Sequence, residues 1–306
     1  MLTFLHAADF HLDSPFHALP PEQAAERRQE QRQLLTRLAD TARQAQVDLV
    51  FLAGDLFDGQ RARPETVQAP LSGLGGAGGR GLLSPGNHDP YSPTSPYGKF
   101  PWPDHVHIFT QAAPARVEVP QLGAVVYGSA FTSLYRMDSP LAGFHAQEED
   151  LAAFGCFHGD LSSAHSRYGP ITHNEIAASG LHYLALGHSH SASGLKRAGK
   201  TYYAWPGCPE GRGCDETGDK GVLSGPAGGR PGVPGLCPPG PAAVPHPQPG
   251  HHRPGPCPGA GGAHPRLPAG GHPSDFPHRH PGPGQRAQSH CPHRPGLRLF
   301  LQRQSL

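Results

Sequence analysis

Two imidazoles one residue apart, in Ala185-Leu186-Gly187-His188-Ser189-His190, stand just past the apolar run from Leu181 to Leu186. Neutral imidazoles held in one loop suit a transition-metal site. In a chain of 22 histidines the pair says little alone, and its weight comes from four clusters upstream. Asp9-Phe10-His11 follows the run from Leu2 to Ala8, and its carboxylate and imidazole at i and i+2 point the same way if strand geometry persists. Gly54-Asp55-Leu56-Phe57-Asp58 follows the run from Val47 to Ala53. Gly86-Asn87-His88-Asp89 follows Leu82-Leu83-Ser84-Pro85, and His158-Gly159-Asp160 ends the run from Leu151 to Phe157. Mixed carboxylate, amide and imidazole donors suit Mn²⁺, Fe²⁺ or Zn²⁺ better than a thiolate set would.

Elements able to present these clusters can be read between them. Leu2 to Ala8 and Val47 to Ala53 read as buried strands, as do Val106 to Phe109, Ala124 to Tyr127, Leu181 to Leu186 and Thr201 to Trp205. Pro20-Pro21 opens a long helix with an almost wholly polar first half. Leu34, Leu35, Leu38, Ala42 and Ala45 then form its apolar stripe. Asn174 to Ser179 reads as a short helix stopped by Gly180. Strand, helix, strand with chemistry at the strand ends is the α/β plan, in which ligands sit at the carboxyl ends of strands. Gly73 to Gly78 matches the pattern G-x-G-x-x-G, but no strand precedes it and no clear amphipathic helix follows. It is therefore not a dinucleotide site, and reads as a glycine-rich connection.

Charge and composition divide the 306 residues into unlike parts. From Leu223 to Leu306 there are eight arginines, no lysine and one acid, Asp275, a balance of +7, against −6 for the remainder. The same segment holds 20 of the 37 prolines and has no sustained period. Such a stretch buries too little apolar surface to offset its ordering entropy. The expected organisation is one domain over residues 1–222 and a Pro/Gly/His/Arg-rich, low-complexity tail over 223–306, disordered or out of frame. The six cysteines contain no Cys-x-x-Cys pair and read as reduced thiols of a cytoplasmic protein. No apolar run reaches the ~18 residues of a membrane span, and the N-terminus does not read as a secretory leader.

Taken in order, D-x-H, G-D-x-x-D, G-N-H-D, H and G-H-x-H resemble the calcineurin-type metallophosphoesterase superfamily. Within it, His6 to Phe16 (HAADFHLDSPF) resembles the bacterial DNA-repair exonucleases of the SbcD type, nearest their YhaO-like branch, and Trp205 to Gly213 (WPGCPEGRG) points the same way. The resemblance covers about residues 1–222. It implies a four-layer α/β/β/α sandwich and two divalent metal ions, Mn²⁺ first among the candidates. It also implies that Asp9, His11, Asp55 and His190 hold one ion, and Asp55, Asn87, His158 and His188 the other, with Asp55 as the bridge. Two ions ~3.5–4 Å apart activate a water and neutralise charge at phosphorus. His88 would protonate the leaving oxygen, Asp89 would orient it, and Asp58 would support a ligand. The implied partners are DNA, an SbcC-like or YhaN-like ATPase and a second copy of the chain, with no membrane. Two stretches depart from the family, 70–83 and 223 onward, and both have the composition of a GC-rich gene read out of frame.

Three functions compete. The first is a metal-dependent DNA phosphodiesterase. The second is a phosphoesterase acting on a small-molecule or protein phosphoester with the same metals. The third is a nucleic-acid-binding or scaffold protein with a dead site, against which the full ligand set argues. The acidic balance of 1–222 supplies no basic track for DNA.

Overall fold

A computed structural model describes residues 2–148, 150–213, 216, 220–227 and 240–242, all within the unit Met1–Gln248. In chain order the elements are β1 (Leu2–Ala7), α1 (Pro21–Gln44), β2 (Leu49–Leu52), α2 (Pro64–Gly76), β3 (Arg80–Leu83), α3 (Pro96–Lys99), β4 (Val106–Ile108), β5 (Ala115–Val119), β6 (Ala124–Gly128), β7 (Ala152–His158), α4 (His173–Ala178), β8 (Tyr183–Gly187), β9 (Lys196–Ala198), β10 (Thr201–Ala204), β11 (Val222–Ala227) and β12 (Gly240–Ala242). One sheet has the order β12-β11-β1-β2-β3-β4 and the other β5-β6-β7-β8-β10-β9.

Alternation along the strands assigns each side chain to a layer, because successive side chains leave opposite faces of a strand. Leu5, Ala7, Val50, Leu52 and Leu83 pack with Leu34, Leu35 and Leu38 of α1 and Val67 and Leu74 of α2. Their strand neighbours Phe4, Leu49, Phe51 and Leu82 face the second sheet, meeting Val126, Phe154, Cys156 and Tyr183. On the far side of that sheet Val125, Phe157, Leu184 and Leu186 pack with Ile176 of α4. This is the four-layer α/β/β/α sandwich. The stripe of α1 is as expected except for Ala45, which caps the helix and is exposed.

The glycine-rich run Gly73 to Gly78 is more than the connection it reads as, and the departing stretch 70–83 holds a helix end and a buried strand. The run forms the end of α2 and leads into β3, so its order is helix then strand, the reverse of a dinucleotide fingerprint. A Cβ on Gly73 would lie 2.8 Å from the carbonyl oxygen of Leu35, so the glycine lets α2 cross α1 closely. Glycine weakens a helix by roughly 1 kcal/mol relative to alanine, and the buried face Thr66, Val67, Pro70 and Leu74 offsets this. A local composition signal concealed a packing role.

The boundary expected at 222 also falls inside an element. β11 pairs antiparallel with β1, Leu223 opposite His6, and Val222 and Leu223 are buried. Pairing to an existing sheet is a backbone transaction and needs little apolar sequence, which is why average composition missed it. Of the tail expected to be disordered, 228–239 and 243–306 lie outside the described residues.

Candidate metal centre

Each of the five clusters follows a strand: Asp9 after β1, Asp55 after β2, Asn87 after β3, His158 at the end of β7 and His188 after β8. The loops after β1 and β2 continue side by side, with Asp9 N donating to Gly54 O (3.0 Å) and His11 N to Asp55 O (2.9 Å). Asp9, His11, Asp55 and His188 all have positive φ, at 56°, 47°, 50° and 103°. Non-glycine residues rarely adopt such angles, and where they cluster the surrounding structure must hold them. Glycines make the space. A Cβ on Gly54 would lie 2.2 Å from Nδ1 of His158, and one on Gly86 2.2 Å from Oδ1 of Asp55.

Hydrogen bonds at the far nitrogens fix the tautomers. Nδ1 of His158 donates to Ala53 O (2.9 Å), since a carbonyl can only accept. Nδ1 of His11 lies 3.0 Å from Asp58 Oδ1, and Nδ1 of His190 lies 2.6 Å from Glu216 Oε1. Each of these rings therefore turns Nε2 inward, the atom that would ligate an ion. The Nε2 atoms of His11 and His190 are 3.0 Å apart, close enough to share a proton or an ion. Asp55 Oδ2 lies 3.7 Å from His11 Nε2 and 3.4 Å from His158 Nε2, at the junction of the two groups. Asn87 Oδ1 lies 3.0 Å from His158 Nε2 and 3.3 Å from His188 Nδ1. Ligand atoms of Asp9, His11 and His190 lie within 4.8 Å of one another, as do those of Asp9, Asp55 and His158.

The electrostatics have the same form. Burial raises the Asp9 carboxyl to about 8. Burial also works to raise Asp55, but His158 and His11 hold it well below the ordinary carboxylate range. Burial works to lower His158, yet Asp55 and Asp9 bring it up to about 9. A divalent ion bound where these oxygens converge would take the place of the protons on Asp9 and His158. Burial, with His158 adding to it, pulls His188 down to about 4, which keeps that ring neutral and able to ligate. Borderline nitrogen donors mixed with buried oxygens fit two divalent transition ions.

The structure brings together all seven residues expected to be ligands. His88 is half-exposed beside them, its backbone N bonded to Asp55 Oδ1 (2.9 Å) and its ring edge-on to His11. Asp89 does not have the orienting role expected of it. It is buried and accepts from Phe57 N (2.8 Å), Gly86 N (2.8 Å) and the hydroxyl of Tyr97, so it braces the loop. Its hydrogen-bonding demand is met by two backbone amides and the Tyr97 hydroxyl, which sequence adjacency to His88 could not show. The carboxylate beside His88 is Asp58, 3.3 Å from Nδ1, and Asp58 also holds His11.

Sequence reasoning missed Glu216 and gave Arg212 no role. Arg212 reaches Asp58 Oδ1 (3.3 Å) and Glu216 Oε1 (3.0 Å), tying together the carboxylates that hold His11 and His190. Arg212 stands in the WPGCPEGRG run, so a signal for it was on view; Glu216 carried none. Beside His188 a cavity of about 360 Å³ is lined by Asp160, Ser162, Ser189, Ser193, Lys196 and Trp205.

A family model for the calcineurin-like phosphoesterases matches residues 2–192. The metallophosphoesterase YhaO of Bacillus subtilis strain 168 is 34% identical over an alignment of 231 residues that covers 72% of this chain and 56% of YhaO. The chain thus spans about half the length of that relative. Among solved structures, the protein TT1561 of Thermus thermophilus is 11% identical with a TM-score of 0.42, over 68% of this chain and 89% of that one. A predicted phosphoesterase of Streptococcus pneumoniae TIGR4 is 15% identical with a TM-score of 0.35, over 73% and 82%.

Proposed function

The chain belongs to the calcineurin-like phosphoesterase family, and from that premise we propose that it is a metal-dependent phosphodiesterase cutting DNA, as exonuclease or endonuclease. In the proposed assignment Asp9, His11, Asp55 and His190 hold one divalent ion and Asp55, Asn87, His158 and His188 the other, with Mn²⁺ preferred over Fe²⁺ or Zn²⁺. Ions bound there supply an activated water and neutralise charge at the attacked phosphorus. The observation that carries the reading is Asp55 Oδ2, within 4 Å of an inward-facing Nε2 on each side.

This chain's own groups do the remainder. Asp58 and Glu216 keep Nδ1 of His11 and His190 protonated, so both rings present lone pairs. His88 stands at the open side of the cluster, 3.3 Å from Asp58, and donates a proton to the leaving oxygen. Its pKa is raised, chiefly by the hydrogen bond to Asp58, which favours the form that can donate. Lys196, in the cavity beside His188, supplies a cation for a phosphate.

DNA is preferred because HAADFHLDSPF and WPGCPEGRG resemble the SbcD-type nucleases, nearest the YhaO-like branch, and similarity to YhaO itself supports that branch. An SbcC-like or YhaN-like ATPase, a second copy of the chain and a cytoplasmic setting belong to the same proposal. None of the described helices is long and apolar enough to cross a membrane. The balance of −6 over residues 1–222 favours the second reading, a small-molecule or protein phosphoester. The deciding experiment is Mn²⁺-dependent digestion of labelled linear single- and double-stranded DNA beside a nitrophenyl phosphodiester. Cleavage of DNA is expected; turnover of the small ester alone would select the second reading.

A further inference from the structure

Four large hydrophobic side chains are exposed among the described residues, and three of them, Leu134 (49%), Tyr135 (50%) and Met137 (65%), stand together in one loop. Exposed apolar surface gathered in one place marks a binding site more often than single exposed residues do. This loop is held against the segment 160–170. Arg136 N donates to Arg167 O (2.8 Å) and Gly169 N to Arg136 O (2.8 Å). The Arg136 side chain is buried and bonds Ser129 Oγ (3.1 Å), and its near neighbour Asp138 is paired to it (3.4 Å). The two strips therefore form one platform.

Three rings run across that platform. The Tyr135 and Tyr168 centroids are 5.9 Å apart at 40°, and Tyr168 lies 5.2 Å from the His188 ring at 34°. At the outer end the Arg167 guanidinium lies over Tyr135, 5.0 Å from the ring centre. The inner end is His188, one of the groups assigned to the reaction. Whatever covers the ladder thus also touches the site. Flat aromatic faces with a cation at the end match the needs of unpaired bases and their phosphates, for which any base will serve because every base has a π-face. A protein partner could cover Leu134 and Met137, but nothing in its chemistry calls for rings leading to the reacting centre.

We propose that Tyr135 and Tyr168, with Arg167 at the outer end, seat unpaired bases of a nucleic-acid strand whose scissile phosphate lies beside His188. The proposal rests on the DNA reading above and adds to it the place and the single-stranded character of the substrate near the cut.

The test uses the full chain stripped of metal with EDTA, so that binding is read without cleavage. Fluorescence anisotropy would follow a labelled short oligothymidine and a duplex of equal length. Tyr135→Ala should weaken single-strand binding by roughly 5- to 150-fold, the range seen when one stacking aromatic is removed. It should weaken duplex binding less, since paired bases are not free to splay. Tyr135→Trp should retain binding, and its new indole should be quenched by the oligonucleotide. Unchanged single-strand affinity in Tyr135→Ala would overturn the proposal. So would a change in sedimentation mass with affinity intact, which would make the patch a protein interface. If wild type cuts DNA with Mn²⁺ while Tyr135→Ala binds normally, only the ladder fails. If wild type neither binds nor cuts DNA, the DNA reading fails with it.

Discussion

Glu216→Ala should detach one metal ion from the proposed pair and spare the other. The carboxylate faces Nδ1 of His190 at 2.6 Å and accepts from Arg212 N (2.8 Å) and Arg212 Nη2 (3.0 Å). Burial works to raise its pKa, but the bonds from Arg212 hold it at about 2, so it is ionised throughout the working range. An ionised acceptor at Nδ1 fixes the proton there and leaves Nε2 free to ligate. Without it His190 can shift its proton to Nε2 or turn away. Losing one charge-assisted hydrogen bond at a partly buried position costs about 2 kcal/mol, equivalent to roughly 30-fold in Kd, inside the range observed when such supporting groups are removed. Calorimetric titration of EDTA-stripped protein with Mn²⁺ reads both ions. Wild type should show two binding steps, and Glu216→Ala should weaken one of them about 30-fold. Glu216→Gln, which keeps an acceptor oxygen, should recover much of the loss. Two wild-type steps in Glu216→Ala would refute the reasoning, because His190 would then need no partner. Equal loss of both ions with a fall in Tm would instead make Glu216 a packing residue.

Three further outcomes follow from the same contacts. His88→Ala should retain both ions and lose about 10²–10⁴-fold in rate on DNA, with a smaller loss on a nitrophenyl ester, whose leaving group needs little protonation; loss of an ion would make His88 a ligand. Gly86→Ala would set a Cβ 2.2 Å from Asp55 Oδ1, so metal content should drop while circular dichroism stays native; full metal occupancy would contradict the close approach. His6 is buried, accepts at Nδ1 from the Tyr183 hydroxyl (2.9 Å) and donates from Nε2 to Leu186 O (3.1 Å). Burial pulls its pKa down to about 3. The unfolded chain then binds the extra proton between pH 6.5 and 3, so His6 contributes a stability that is complete above pH 6.5 and lost as pH falls. From pH 7.5 to 4.5 that loss is about 2–3 kcal/mol. Urea unfolding of metal-stripped His6→Gln should show a correspondingly shallower pH dependence than wild type, and an equal slope would refute the assignment.

The strands and the gathering of the clusters at their ends were legible because both rest on local signals. Buried strands write themselves as apolar runs, and a ligand must be one of a few residue types just beyond them. What was lost depends on partners distant in the chain. Gly73 reads as a helix breaker until Leu35 of α1 is set against it. Leu223 looks like the start of a low-complexity tail until β1 supplies the pairing edge. Asp89 next to His88 suggested a partnership, whereas Asp58, 30 residues earlier, is the group that faces the imidazole. Glu216 lies 26 residues from the histidine it holds. No pattern in one sequence reports such a separation. The left-handed backbone at Asp9, His11, Asp55 and His188 was equally invisible, since none of those residue types announces a positive φ.

The most direct test is diffraction from Mn²⁺-loaded crystals at a wavelength where manganese scatters anomalously. Two peaks are expected, one on each side of the Asp55 carboxylate, the first among Asp9, His11 and His190 and the second among Asn87, His158 and His188. A single peak, or two peaks that do not share Asp55, would contradict the two-ion assignment.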